Sequence, residues 1–258
     1  MTSEGTDRKF ANTLARGLAI LRAFRASDSG LTHAQISDRT GLPKPTVSRL
    51  TYTLCELGYL SHGGRNDRFR LGPSAIALGS VASVAVNFLD LASDAMQKLA
   101  DDTGTLALVA VRDDSKMLLV RTWRPRNAST IWLEPGHRIP VFGSSSGMAV
   151  VASLGQERFA QLTPEKDMRQ FRSEGYSQLV EHGFTYALKG TRYASTINAV
   201  SVPYFAEEFG EPVAFTCGAM PSDLSDDRIR DEVGPALRDL VRALEQRTGR
   251  TPALSRRD

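Results

Sequence analysis

A mainly α winged helix-turn-helix, a linker of helices and an α+β domain with an antiparallel sheet are what three features of this 258-residue chain predict. Apolar residues recur at helical spacing three times before residue 60, with start and stop signals that leave a tight turn between the second and third helices. A short hairpin pattern follows. Beyond Leu106 the apolar period changes from 3.6 to 2, and strands and helices are then interspersed in an order that suits an antiparallel sheet. The multi-domain division expected is 1–72, 73–104 and 105–258, and 41% apolar residues can build cores for two domains.

Residues 1–9 are polar and expected to fray. Leu14, Leu18, Leu21 and Phe24 form the stripe of a first helix over Asn12–Phe24, with Asn12 or Thr13 as its cap. Thr32 and Gln35 have capping-box spacing and Leu31 and Ile36 the spacing of a hydrophobic staple, so a second helix starts at Thr32. Gly41 ends it. In Leu42–Leu60, Val47, Leu50, Leu54 and Leu57 gather on one side of a third helix, and Pro45 suits its first turn. The opposite side carries Pro45, Ser48, Arg49 and Tyr52, with Lys44 and Cys55 at its edges: mostly donors and a cation, the equipment needed to meet a DNA groove. Any surface helix offers some of this. The order helix, helix, tight turn, helix is the helix-turn-helix arrangement. Tyr59–His62 and Arg68–Leu71 then read as strands around a Gly63–Asp67 turn, a wing exposing Arg65, Arg68 and Arg70 to a backbone or minor groove.

Charge is distributed accordingly. Residues 1–72 hold 11 Lys and Arg against 6 Asp and Glu, whereas the rest of the chain holds 21 against 23. The cationic end is the one that phosphate neutralisation requires. Cys55 and Cys217 are far apart, without CxxC pairing, and the four histidines (33, 62, 137, 182) lack ligand spacing, so neither a disulfide nor a zinc framework is expected. No apolar run reaches about 20 residues and the N-terminus lacks a signal-peptide core, which places the chain in the cytoplasm with no membrane partner.

Pro73–Gly104 reads as helical, divisible at Gly79 or within Val84–Asn87, and its many small residues suit close approach by a second subunit. Leu106–Arg112, Met117–Arg124, Thr130–Leu133, Thr196–Tyr204 and Pro212–Met220 are strand-like. Gly147–Leu154, Glu157–Leu162 and Glu165–His182 are helical. Ser225 caps a last helix, stapled by Leu224 and Ile229 and buried along Ile229, Val233, Leu237, Leu240 and Leu244. The loop Arg138–Val150 holds Gly143-Ser144-Ser145-Ser146-Gly147. Taken as a GxSxG elbow it makes Ser145 a nucleophile, but that elbow needs a doubly wound parallel sheet and a suitably placed later His, and only His182 follows. Hydroxyls and free N–H groups at a helix N-terminus instead make a place for a carboxylate, or simply cap the helix.

The segments NTLARGLAILRAF, GLPKPTVSRLTYTLCELGYL, FRLGPSAIALGS, RIPVFGSSSGMAVVASL and AVSVPYFAEEFGEPVAFTCGA, in that order, resemble the IclR family of bacterial transcription regulators from about Asn12 to Gly249. The resemblance implies a winged helix-turn-helix on double-stranded DNA with a palindromic operator, a dimer-forming linker helix and a GAF-like effector domain, assembled as a homodimer or a dimer of dimers. It implies a transcription regulator, in our reading a repressor, modulated by a small-molecule effector, an organic acid or aromatic compound, with no enzymatic activity and no cofactor. On DNA, Lys44, Pro45, Thr46, Ser48, Arg49, Tyr52, Arg65, Arg68 and Arg70 are the expected contacts. Family pockets correspond here to Ser144, Ser145, Ser146, Ser201 and Cys217, with Trp123 or Phe215 as an aromatic wall. Departures are Pro45 where serine is common, Thr51 where leucine is, and Lys189, Arg192 and Tyr193 where acidic residues are. Two other readings stand beside this one: a DNA-binding dimer without an effector, and a serine hydrolase using Ser145.

Overall fold

The computed structural model describes residues 10–63, 68–84, 86–187 and 194–256, in two compact units, Met1–Ala85 and Val86–Asp258. The boundary falls within the stretch read as the linker.

The first unit contains α1 (Asn12–Arg22), α2 (His33–Thr40), α3 (Lys44–Glu56), the hairpin strands β1 (Leu60–Gly63) and β2 (Arg68–Leu71), and α4 (Pro73–Val84). At α2 the sequence signals are realised atom for atom. Thr32 accepts from the Gln35 N–H and the Gln35 side chain accepts from the Thr32 N–H, while Gly41 ends the helix at φ 70°. Ile20, Leu31, Ile36, Val47, Leu50, Leu60 and Phe69 close a small core. Each such apolar side chain contributes about 1.5–3 kcal/mol by leaving water. Two stripe residues of α1 differ from expectation: Leu14 and Leu18 are 63% and 50% exposed, and Ile20 takes the buried position. The cap position is Ala11, which has no side-chain acceptor. Leu57 is likewise exposed, since α3 has ended there and the chain turns at Gly58. In α4 no residue is buried, although Ile76, Leu78, Val81 and Val84 are all apolar.

In the second unit, α5 (Asn87–Thr103) leads into β3 (Leu106–Asp113), β4 (Lys116–Trp123) and β5 (Arg138–Pro140). Then come α6 (Ser145–Ser153), α7 (Gln156–Ala160), α8 (Lys166–Glu181), β6 (Thr185–Tyr186), β7 (Asn198–Ala206) and β8 (Glu211–Ala219). The strands form one antiparallel sheet in the order β5-β4-β3-β8-β7-β6. The last helix runs as α9 (Asp226–Arg228), a π turn over Ile229–Val233 and α10 (Gly234–Thr248). Ser225 caps it and Leu224 and Ile229 are fully buried, as the staple requires.

Helices cover both faces of the sheet. One core joins α5 and α10 to Ala107, Val109, Phe215 and Cys217; the other joins α6 and α8 to Leu106, Leu108, Ala110 and Ala214. Alternation along each strand, with period 2, assigns residues to the two cores. A bulge interrupts it in β4: Val109 pairs with Arg121 and Ala110 with Leu119, leaving Val120 as the extra residue. Met117 and Leu119 therefore face α6, while Trp123, of the same parity, faces α5. The stretch Thr130–Leu133, read as a strand, is irregular, and β5 forms instead over Arg138–Pro140, where it pairs with β4.

Candidate nucleic-acid interface and serine-lined cavity

Helix α3 keeps one side for the core and one for water. Val47, Leu50 and Thr51 are buried, whereas Lys44, Pro45, Ser48, Arg49 and Tyr52 are exposed and Thr46 is half-buried. Tyr52 is 67% exposed, far more than an aromatic of this size needs for packing alone. The helix is oriented by a contact that periodicity alone did not reveal. Thr51 Oγ1 lies 3.1 Å from His33 Nε2 and donates to the Ser48 carbonyl, joining the start of α2 to the middle of α3 inside the core. A hydroxyl where only apolar side chains were expected, 18 positions from a histidine, is the signal that marked it.

In the wing, β1 pairs with β2 and Phe69 lies between the rings of His33 and His62, each 4.7 Å away. Arg68 and Arg70 sit on β2; Arg65 lies outside the described residues.

The cavity of about 40 Å³ in the second unit lies at the N-terminus of α6. Its floor is Ser144, Ser145, Ser146 and Thr216; its walls are apolar, with Leu108, Ile131, Leu133, Ile139 and Ile197 among them. Ser144 caps α6, accepting from the Gly147 N–H at 3.1 Å and donating to the Pro140 carbonyl. Gly147 is required here: a Cβ would stand 2.0 Å from the Val141 carbonyl oxygen. The first-turn N–H groups of Ser145 and Ser146 have no intrahelical acceptor. Ser201 Oγ donates to Ser145 Oγ at 2.9 Å and lies 2.8 Å from Thr216 Oγ1, so a chain of three hydroxyls runs from β8 through β7 to the helix. Thr185 of β6 ties the Ser145 carbonyl at 2.9 Å.

Three expected pocket residues are elsewhere, and a fourth, Ser201, is fully buried behind the lining, where it joins Ser145 to Thr216. Phe215 and Cys217 alternate with Thr216 and Gly218 along β8, so they enter the α5–α10 core while their neighbours face the cavity. Burial pushes the Cys217 thiol up to about 12, which makes it unreactive. The bulge at Val120 carries Trp123 to that same far face, where its indole N–H donates to Ser93 Oγ at 3.0 Å. Thr216 takes the part assigned to Cys217. Lys189, Arg192 and Tyr193 lie outside the described residues. Ser145 is bonded to Ser201, not to a histidine, and the antiparallel sheet is not the one a nucleophile elbow needs. His182 instead stacks on Phe184, with Glu181 beside it. Among the described residues no group of three or more His, Cys, Asp or Glu is placed to hold a metal, and no single helix is long and apolar enough to cross a membrane.

A helix-turn-helix with a wing and an outward-facing cationic recognition side, carried on one chain with a separate α+β unit, defines the class of DNA-binding regulators. Residues 13–63 match the IclR helix-turn-helix domain and residues 81–246 the bacterial transcriptional regulator IclR C-terminal domain, so the chain belongs to the IclR family of transcription regulators. Among its relatives, the HTH-type transcriptional regulator TsaQ1/TsaQ2 of Comamonas testosteroni is 26% identical over 94% of this chain and 91% of its own length. An IclR family transcriptional regulator from Brucella abortus, of solved structure, is 28% identical with a TM-score of 0.74, covering 95% of this chain and 96% of that one. A second solved structure, an IclR homolog from Microbacterium hydrocarbonoxydans complexed with 4-hydroxybenzoate, is 21% identical with a TM-score of 0.66 over 90% of this chain and 99% of that one. The protein is thus a DNA-binding transcription regulator of this family, whose members are regulators rather than enzymes.

Proposed function

We propose that the protein is a cytoplasmic repressor that holds a palindromic operator as a homodimer, or as a dimer of dimers, and changes its occupancy when a small organic acid, aromatic in the favoured case, enters the serine-lined cavity. Ser48, Arg49 and Tyr52 read base edges, with Pro45 and Thr46 beside them, and Lys44 and Arg65 hold phosphates that position without specifying. The exposed apolar surface of α4, with Ile76, Val81 and Val84 each more than 60% exposed, supports pairing with a second copy.

The observation that carries the effector reading is the hydroxyl chain Thr216–Ser201–Ser145 beneath apolar walls, at the start of α6. Such a floor offers donors to a carboxylate, and such walls accept a ring. The Microbacterium homolog's 4-hydroxybenzoate has both features. About 40 Å³ is room for a water but well below the roughly 300 Å³ of a usual ligand pocket. An effector therefore has to part the walls formed by Ile131, Leu133 and Ile197. Preference for the opened arrangement is the differential affinity a switch requires, typically about 1–3 kcal/mol of coupling.

The small volume also favours the one rival, a DNA-binding dimer whose second unit takes no ligand. Thermal-shift titration with 4-hydroxybenzoate and related aromatic acids separates them: a ligand at 100 times its Kd stabilises by about 2.7 kcal/mol. Ser145→Ala should reduce that shift while leaving operator affinity without ligand unchanged; no shift with any acid of this class supports the rival.

A further inference from the structure

We propose that Arg68 and Arg70 serve operator binding as positioning residues: they lock the wing onto the loop between α1 and α2, and phosphate contact is not their part. Residue 31 and residue 69 exchange both backbone hydrogen bonds, Leu31 N–H to the Phe69 carbonyl at 2.9 Å and Phe69 N–H to the Leu31 carbonyl at 2.8 Å. The arginines flank Phe69 and fasten the same seam with their side chains. Arg68 Nη1 donates to the Gly30 carbonyl at 2.8 Å, and Arg70 Nε to the Ser29 carbonyl at 3.1 Å.

Gly30 is shaped for this. Its φ of 114° is closed to other residues, and a Cβ there would stand 3.1 Å from Arg68 Cβ and 3.3 Å from Arg70 Cγ, so both stems lie directly over it. The loop is held in turn from its other side. Arg39 of α2 grips Asp28 through two hydrogen bonds of 2.6 and 2.9 Å and donates to the Ala23 carbonyl, and the Arg25 N–H reaches the same carboxylate. The wing, the loop and α2, whose C-terminus leads straight to α3, therefore form one braced piece. Guanidinium groups turned inward in this way have fewer donors left for a duplex, and Arg68 is already half-buried.

The experiment is fluorescence anisotropy with a short labelled duplex selected from a randomised pool by the unaltered full-length protein, measured across a salt series. A residue that holds one phosphate contributes about 0.9 to the slope of log affinity against log salt. For Arg68→Ala the expected result is a loss of about tenfold or more at every salt concentration with the slope unchanged. Gly30→Ala, which keeps every cation but strains the loop and crowds the Phe69 carbonyl and the two stems, should show the same pattern. Hydroxyl-radical footprinting at saturating protein should lose protection at the wing's flank while keeping it where α3 binds. A slope lower by about one for Arg68→Ala, or unaltered affinity in Gly30→Ala, overturns the proposal. So does equal loss of protection at both places, which would mean that the variants merely unfold.

Discussion

Helix α3 turns Ser48, Arg49 and Tyr52 to water, whereas all nine residues of α6 are buried and its Ser145 hydroxyl is bonded to Ser201 of β7. On the function proposed above, each helix meets an anion, and the difference lies in the size of that anion. DNA is a large polyelectrolyte that comes to the protein surface, so a solvated cation gains by releasing counterions and has no need of burial. A small acid has to leave water altogether, so its carboxylate needs donors inside the cavity to replace those of water. An exposed helix face therefore tolerates substitution that a packed helix start does not.

Gly147→Ala should give the largest effect on stability, because a methyl group cannot stand 2.0 Å from the Val141 carbonyl without moving α6 away from β5. A loss on the order of 3 kcal/mol in urea unfolding of the second unit is expected; a change below about 0.5 kcal/mol would break the contrast with α3. Arg49→Ala is its counterpart. It should abolish preference for the selected operator duplex over random duplex, a cost of about 1–3 kcal/mol in binding, with the unfolding midpoint unaltered. Gel-shift competition decides this, and retained preference would remove Arg49 from the reading surface.

A smaller effect sharpens the comparison from the packed side. Burial raises the Glu245 carboxyl on α10 to about 7, against an ordinary value of 4.5. The protonated form is the one favoured on folding, so this contribution is complete below pH 4.5 and is lost as pH rises through about 7. Glu245→Gln should flatten that part of the melting temperature profile, and an unchanged profile would show that this carboxylate is solvated after all.

Much of the first unit was legible because its signals are local. Thr32 and Gln35 are three residues apart, Gly41 has to be left-handed, and Pro45 suits a first turn wherever the helix goes. The split of the helical stretch at Val84–Asn87 was legible for a similar reason, since β-branched residues cluster there. What was not legible depends on partners distant in sequence. Leu14 and Leu18 fit a helical stripe, yet Ile20 meets the core, and a hydrophobic pattern alone does not say which of several apolar residues turns inward. In the cavity, Ser144 and Ser145 were readable as a helix start, whereas Ser201 and Thr216 became its neighbours only through the pairing of β7 with β8. Cys217 and Thr216 are neighbours in β8 on opposite faces of the sheet, and only the strand pairing assigns which of them meets the cavity.

The unpaired Val120 has a consequence for how new variants of this chain can arise. Among its buried side chains β4 supplies one core before that residue and the other after it. Excising that one amino acid would leave Leu119 followed by Arg121 with the pairs Ala110–Leu119 and Val109–Arg121 intact, so plain alternation returns and the indole of Trp123 stays beside α5. The bulge is thus a reserve of one residue, which the strand can give up without turning any later side chain to the other face.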